Sequence, residues 1–291
     1  MTTRAEDVQS KTYQAVVIGA GDVGCAVARS LVNSVAPVSL TAGSGMGMQP
    51  HDILSGCLIV DQNMWPLMES SAANAGIIHT GFDASTGSIE QSCMQEGARL
   101  VHKLHEDMTI KSPSGHIFSE PFPLDKKGGS LLVARSEQEW IELKTKIVPQ
   151  ASRNGVEVEL IEGEEKIRMI ESNFSPSLPI FGGLLIKDEA QTDGFFLPFF
   201  LLLQALHRGA SLLLQYRLEE ATFCPSDKLW TLSFSPTSSS SSSSSLSRVK
   251  VRTHFLVNCA GLGADSVDRV VRSELSRLHS SQLLPLVSPL V

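Results

Sequence analysis

The stretch from Ala15 to Ser30, AVVIGAGDVGCAVARS, constrains the fold more than any other part of the chain. Its first four residues are apolar and mostly β-branched, which is typical of a buried strand. The glycines Gly19, Gly21 and Gly24 follow directly in the spacing GxGxxG, and the small residues after them predict a helix. A glycine loop between a strand and a helix is typical of dinucleotide binding, because the helix N-terminus offers N–H groups to phosphates.

The glycine spacing alone leaves a plain glycine turn as the alternative, but its place between a strand and a helix favours a ligand. Gly19 permits a tight turn, Gly21 lets a diphosphate approach the backbone and Gly24 lets the helix pack on the strand. The residues expected to contact the dinucleotide here are Gly19, Ala20, Gly21, Val23 and Gly24. Asp22 brings a carboxylate close to the expected phosphates, so we expect this side chain to point to solvent.

A second apolar run, Cys57–Val60, ends in an acid and predicts the second strand of the same domain. An acid at this position can bind ribose hydroxyls, so Asp61 and the adjacent Gln62 are expected to contact the cofactor. The alternatives are that Asp61 only ends a strand, or that the second strand lies at 38–40, where no acid follows. Residues 36–56 are rich in Gly, Ser, Pro and Met and predict an inserted surface loop.

Composition excludes several classes of protein. The net charge of −7 over 291 residues, without a basic run, argues against nucleic-acid binding. Five cysteines without a CxxC pair predict reduced thiols, with no metal site and no disulfide framework. The first residues lack a signal peptide and carry early acids, which predicts a cytoplasmic protein, with a mitochondrial one as the alternative. The apolar run 195–206 lacks a cationic face, so we expect a buried helix rather than peripheral membrane association.

The segment 69–83, ESSAANAGIIHTGFD, combines small residues with an apolar pair and a histidine. Small side chains let a main chain lie close to a flat ring system. Together with the glycine loop and Asp61, this segment resembles FAD-dependent oxidoreductases of the D-amino-acid-oxidase (DAO) fold. The resemblance is to the branch of glycerol-3-phosphate dehydrogenase-like and L-2-hydroxyglutarate dehydrogenase-like proteins.

The resemblance implies FAD as the cofactor and a set of residues along its flavin ring. That set is Ser70, Ser71, Asn74, Gly76 and Ile77. His79 would lie near the ring and contact it, handle a proton or carry a covalent bond to the flavin. The alternative is a hydrogen-bonded structural histidine. His79 is the one catalytic candidate that the resemblance offers.

A second strand–glycine–helix pattern, HFLVNCAGLGAD, begins at His254 and resembles the family's V-N-A-A-G-x-x-A-D. By this resemblance Cys259, Ala260 and Gly261 meet the FAD phosphates and ribose, and Ala221 belongs to the segment whose backbone holds adenine. The alternative is a strand–turn–helix without a ligand.

The resemblance implies an α/β fold: a Rossmann-like FAD-binding domain with an inserted α+β substrate domain, truncated at its C-terminus. The family continues beyond this length and supplies there the arginines that bind an anionic substrate. The exposed sheet and the apolar tail 283–287 at this truncated edge offer a surface that a partner chain could cover. The expected parts are FAD-binding segments 13–102 and 189–275, a substrate or cap domain 103–188, a Ser-rich disordered tip 236–247 and an irregular tail 276–291.

The function that the resemblance implies is that of an FAD-dependent dehydrogenase acting on CH–OH donors. Its substrate would be a small anionic hydroxy acid or polyol phosphate, such as glycerol 3-phosphate or a 2-hydroxy acid, which transfers a hydride to the flavin. A truncated, catalytically silent flavin-binding or structural protein is the alternative. An NAD(P)-binding dehydrogenase is disfavoured, because it does not predict the small-residue segment before His79.

Overall fold

A computed structural model describes residues 2–34, 55–111, 114, 117–237 and 247–279. Two compact units are present: one is formed by the chain up to Asn74 and from Pro198 onward, the other by Ala75–Leu197. Most of the predicted loop 36–56, of the serine-rich tip 236–247 and of the tail 276–291 lies outside the described residues, as does the alternative strand at 38–40.

The described residues form helices and strands along most of their length. The helices are α1 (Ala5–Val8), α2 (Asp22–Ser34), α3 (Ile89–Met108), α4 (Glu137–Glu142), α5 (Val148–Arg153), α6 (Glu164–Ile170), α7 (Phe196–His207) and α8 (Ala264–His279). The strands are β1 (Thr12–Ile18), β2 (Ser55–Asp61), β3 (Ile77–Ile78), β4 (Ile110–Lys111), β5 (Ile117–Ser119), β6 (Leu124–Asp125), β7 (Ser130–Ala134), β8 (Glu159–Glu162), β9 (Gly182–Ile186), β10 (Ala190–Thr192), β11 (Ser211–Leu214), β12 (Tyr216–Cys224), β13 (Leu229–Pro236) and β14 (Val249–Asn258).

The first unit is built on a six-stranded sheet in the order β11-β2-β1-β14-β13-β12. The first four strands are parallel, with Val16 of β1 paired to Leu58 on one side and to Leu256 on the other. The last two strands are antiparallel and form a meander with β14. Because parallel strands end at the same edge, the residues after β1, β2 and β14 come together there.

Both faces of the parallel part of this sheet are buried. Val17 points into a cluster that includes Ala28 of α2 and Leu202 of α7. Its neighbour Val16 points to the opposite face, into a cluster with Phe234 of the meander. This two-sided burial explains why β1 is continuously apolar instead of alternating. The strand–glycine loop–helix predicted at residues 15–30 is present in the structure.

The apolar helix α7 starts from a side-chain cap and contributes to the core. The Asp193 carboxylate accepts hydrogen bonds from the main-chain N–H groups of Phe195 and Phe196, and Pro198 lies in the first turn. Leu202 and Ala205 are buried. Across the described ranges, no helix combines the length and apolar character that crossing a membrane requires.

The second unit has α+β structure, with small antiparallel sheets in the orders β7-β9-β8, β3-β10-β6 and β4-β5. Ser88 caps α3 by accepting a hydrogen bond from the Gln91 N–H, and Ser136 caps α4 in the same way through Glu139. A π-helical turn, 143–147, joins α4 to α5. The whole of α3 belongs to this unit, and α8 continues to His279. The domain boundaries predicted from the sequence stay predictions.

Gly24→Ala tests whether the close crossing of α2 over the glycine loop requires a residue without a side chain at position 24. A Cβ at Gly24 would lie 2.0 Å from the main-chain oxygen of Gly19, a distance that real contacts do not reach. We expect a loss of at least about 2 kcal/mol in the free energy of unfolding, measured by urea denaturation. The control is Gly97→Ala in α3, where a Cβ meets nothing within 4 Å. This change should raise the free energy of unfolding by roughly 0.5–1 kcal/mol. Equal effects of the two changes would contradict this account.

Candidate functional site

The two glycine corners predicted from the sequence are in direct main-chain contact. The Cys259 N–H donates to the Ile18 carbonyl oxygen, and the Gly19 N–H donates to the Val60 carbonyl oxygen, both at 2.8 Å. Gly19 has a φ of +105°, and a Cβ on it would lie 2.2 Å from the Cys259 carbonyl oxygen. Only glycine at this position therefore lets the turn after β1 close against the turn after β14.

Asn258, the last residue of β14, holds the second corner in shape. Its Nδ2 donates to the Ala264 carbonyl oxygen at 2.9 Å, and its Oδ1 accepts from the Ala260 N–H at 3.2 Å. The side chain therefore spans the turn that contains Cys259 and Gly261. Asn258 is a site residue that was not predicted from the sequence, although its place at the strand end was the available signal.

Asp61 lies against the first glycine loop. Its Oδ2 accepts from the Ala20 N–H at 2.7 Å and its Oδ1 accepts from the Asn63 N–H at 2.8 Å. The adjacent Gln62 accepts a hydrogen bond at its carbonyl oxygen from the Thr237 hydroxyl at 2.7 Å. The acid predicted for the ribose thus lies beside the loop predicted for the diphosphate, at the carboxyl end of β2.

The start of the small-residue segment is tied to the same loop. The Ser71 hydroxyl accepts from the Asp22 N–H at 2.9 Å, and a Cβ on Gly21 would lie 2.9 Å from that hydroxyl oxygen. Asn74 donates to the Ser71 carbonyl oxygen at 2.8 Å, and Ser70 is exposed. Of the residues predicted along the flavin ring, Ser71 is therefore bonded to the glycine loop, and Asn74 is bonded to Ser71.

Leu67 anchors the loop that leads to this segment. Its N–H donates to the Ala20 carbonyl oxygen at 3.0 Å, and its side chain is buried in the cluster beneath α2. It adopts a φ of +64°, which is uncommon for a residue with a side chain. The burial of the side chain offsets the backbone strain, and no sequence signal marks this position.

The Asp22 carboxyl is the unfavourable group of the site. Burial raises its pKa, and the Ser71 hydroxyl acts in the opposite direction. The expectation that this side chain points to solvent is wrong for one oxygen: Oδ1 is buried and has no hydrogen-bond partner within the described part of the chain. A buried carboxylate oxygen without a donor disfavours the charged form, because it loses its hydration.

Three thiols lie in or against the core beneath the glycine loop. Burial raises the pKa of Cys25 and of Cys57 to about 12, and it also raises the pKa of Cys259. These thiols stay protonated near neutral pH and act as small apolar groups. Over the ranges that are described, no three His, Cys, Asp or Glu side chains are grouped so that they could hold a metal ion.

The later part of the small-residue segment forms a sheet edge in the second unit. Gly76 has a φ of +68° and accepts at its carbonyl oxygen from the Thr192 N–H at 2.7 Å. Ile77 lies in β3 and is 38% exposed. The His79 side chain is 49% exposed, and its Nδ1 lies 3.3 Å from Oε1 of the buried Glu189. Glu189 carries no motif in the sequence and was not predicted.

Ala221 lies in β12, paired with Leu232 and buried in the core of the first unit. Together with Glu220 and Arg269 it lines a polar cavity of about 520 Å³ between β12 and α8. The hydrogen bonds described for the two glycine corners do not include this residue. The adenine-binding role of Ala221 stays a prediction.

Comparison with protein families gives a match to the model of "FAD dependent oxidoreductase" (DAO) over residues 14–288. The glycerol 3-phosphate dehydrogenase of Caloramator mitchellensis is 23% identical over 89% of this chain and 44% of its own length. The mitochondrial L-2-hydroxyglutarate dehydrogenase of Caenorhabditis briggsae is 23% identical over 90% of this chain and 50% of its own length. The chain thus spans about half the length of these relatives.

Solved structures share the fold. The L-alpha-glycerophosphate oxidase of Mycoplasma pneumoniae, solved with FAD bound, superposes with a TM-score of 0.65 at 18% identity, over 89% of this chain and 57% of the oxidase. Glycine oxidase of Geobacillus kaustophilus gives a TM-score of 0.66 at 17% identity, over 90% and 59% of the two chains. The predicted α/β fold class is confirmed by these matches.

Asp22→Asn tests the electrostatic cost of the buried carboxyl. Because the folded-state pKa is raised, the folded wild type loses stability as the pH rises from about 4, near the unfolded pKa, through the raised value. The Asn variant lacks this loss, so its advantage in the free energy of unfolding should grow over that interval, to at most about 1 kcal/mol after solvent screening.

Urea denaturation at several pH values measures this difference. The matched control is Asp265→Asn, which neutralises an exposed acid in the first turn of α8. We expect the control to lose a few tenths of a kcal/mol of helix-dipole stabilisation. An Asp22→Asn advantage that stays constant with pH would contradict the assignment.

Proposed function

Because the chain belongs to the FAD dependent oxidoreductase family, we propose that it binds FAD across the two glycine corners and oxidises a small hydroxy compound. The two relatives are named for glycerol 3-phosphate and L-2-hydroxyglutarate, so the substrates that we propose are glycerol 3-phosphate or a 2-hydroxy acid. The single observation that carries the cofactor site is the main-chain contact between Gly19 and Cys259. It supports one phosphate-binding surface made from both corners.

The residues at the first corner fit a diphosphate. Gly21 presents no side chain, and only the end of the Ser71 side chain lies within 4 Å of where its Cβ would be. Among the described residues, no acceptor is found for the N–H groups of Gly21 and Val23, which stand at the start of α2. Such N–H groups bind phosphate oxygens. Asp22 opposes an anion, so it lowers the affinity that the corner would otherwise have.

The remaining contacts follow the order of the cofactor. Asp61 is proposed to accept from the ribose hydroxyls, with Gln62 beside it, and Cys259, Ala260 and Gly261 to contact the phosphates and ribose. The small residues from Ser70 to Ile77 are proposed to lie along the flavin ring. Bound FAD supplies the hydride acceptor of the reaction. His79 is proposed to accept the proton of the substrate hydroxyl.

The substrate's anionic group has no assigned partner in this site. The complete relatives are about twice as long as this chain, so the activity of the whole protein is part of the proposal. The cytoplasmic location and the partner chain expected from the sequence stay predictions.

Gly21→Val tests the cofactor site with little effect on the fold. A Cβ there would lie 2.9 Å from the Ser71 hydroxyl oxygen, which must shift and give up its hydrogen bond from the Asp22 N–H, whereas Gly19 and Gly24 face backbone atoms. We expect the free energy of unfolding in urea to fall by about 1 kcal/mol, the usual contribution of one such hydrogen bond, and the dissociation constant for FAD, from quenching of FAD fluorescence, to rise by about 100-fold or more. The control Gly97→Val, where a Cβ meets nothing within 4 Å, should leave FAD affinity unchanged. Riboflavin, which lacks the phosphates and adenosine, should bind weakly to both variants.

The visible spectrum tests the reaction. A bound-flavin spectrum that bleaches when glycerol 3-phosphate or 2-hydroxyglutarate is added under anaerobic conditions is the expected result. Bound flavin that neither compound bleaches favours the catalytically silent alternative. A colourless protein that binds NAD but not FAD contradicts the proposal.

A further inference from the structure

Glu189 is a buried acid whose described hydrogen-bond partners all come from two adjacent residues. Its side chain is 2% exposed. Its Oε1 accepts from the main-chain N–H of Thr80 at 3.2 Å and from the Thr80 hydroxyl at 3.4 Å, and it lies 3.3 Å from His79 Nδ1. A buried carboxylate needs such donors, because burial removes its water.

The sheet register explains why these residues meet. Strand β10 runs antiparallel to β3, with Ala190 opposite Ile78 and Gln191 opposite Ile77. The next pair in this register is Glu189 and His79, just beyond the ends of the two strands. Side chains at directly opposed positions point to the same face of a sheet and contact each other. The pairing of β3 with β10 therefore brings Glu189 and His79 together, so their contact does not depend on one side-chain rotamer alone.

The contact with Glu189 determines which ring nitrogen of His79 carries the proton. Oε1 already acts as an acceptor toward two donors of Thr80, so it acts as an acceptor toward the ring as well. The proton then resides on Nδ1, and Nε2 keeps a free lone pair. Nearly half of the His79 side chain is exposed, so the ring is not enclosed by the protein on all sides.

We propose that Glu189 is a positioning residue that fixes His79 in the Nδ1–H tautomer, so that Nε2 is the atom that receives the substrate's hydroxyl proton. The second half of this proposal rests on the proposed function. Oxidation of the alcohol carbon removes a hydride and a proton, and leaves a carbonyl product. Bound FAD would accept the hydride, and the proton goes from the hydroxyl to Nε2. The Glu189 carboxylate then stabilises the positive imidazolium, as an acid behind a histidine does in other active sites.

The tautomer can be measured without any catalytic activity. The chain has eight histidines, so ¹⁵N-histidine labelling gives a small set of ring signals, and the set lost in His79→Gln is assigned to His79. In alkaline buffer, long-range ¹H–¹⁵N correlation spectra distinguish the two neutral tautomers. We expect Nδ1–H for the wild type and for Glu189→Gln, because the Gln amide oxygen replaces the acceptor. Glu189→Met removes the acceptor, and the ratio of Nδ1–H to Nε2–H should fall by about tenfold.

Thr80→Val is the matched control for a merely structural effect. It removes the hydroxyl that donates to the same Glu189 oxygen, and keeps the shape of the side chain and the ring contact. We expect its His79 tautomer ratio to equal that of the wild type. A wild-type His79 in the Nε2–H form, or a ratio that Glu189→Met leaves unchanged while Thr80→Val alters it, would overturn the proposal.

A second readout separates this proposal from the proposed function. If the chain binds FAD, the rate constant for flavin reduction by glycerol 3-phosphate or 2-hydroxyglutarate should fall about 10²- to 10⁴-fold in Glu189→Met, with FAD affinity unchanged. Glu189→Gln should recover part of the rate, and Thr80→Val should stay within about threefold of the wild type. Absence of bound flavin defeats the proposed function but leaves the tautomer result valid. Flavin reduction at the wild-type rate in Glu189→Met defeats the role of Nε2.

Discussion

The site depends on two backbone turns that approach more closely than side chains would allow. The turn after β1 contains Gly19, and the turn after β14 contains Cys259; a single methyl group on the first would overlap the carbonyl of the second. The hydrogen bond from Cys259 to Ile18 fixes the same approach from the strand side. The main-chain N–H groups at the start of α2 lie near the contact between these two turns. In this family fold, the two turns therefore provide the groups proposed to bind the diphosphate of the cofactor.

Much of this arrangement could be predicted from local patterns. The glycine spacing after an apolar run identified β1, the loop and α2, and the acid after the second apolar run identified the end of β2. The helix crossing that requires Gly24 is local, because it forms within a few residues, whereas the close approach that requires Gly19 involves the distant Cys259. The capped starts of α3 and α4 rest on equally local contacts, because a serine at the N-cap satisfies a nearby N–H group.

Other features were not predicted from the sequence. Leu67 adopts a left-handed conformation because tertiary burial of its side chain outweighs the strain. Glu189 precedes a three-residue strand, and only the register with β3 places its carboxylate beside His79. Asn258 holds the second corner through atoms on both sides of the turn. Each of these roles depends on a residue distant in sequence or on a turn geometry that the residue types do not specify.

The strand pairing in the first unit also has a consequence for how the chain is made. Strand β1 lies near the start of the chain. Its neighbour β14 pairs Arg252 with Thr12, so nearly all described residues lie between these two strands in the sequence. During synthesis, one edge of β1 stays without its final neighbour until that late segment leaves the ribosome. Sheets joined over such long sequence separations also fold slowly. The nascent chain should therefore expose one apolar edge of β1 until the residues of β14 have left the ribosome.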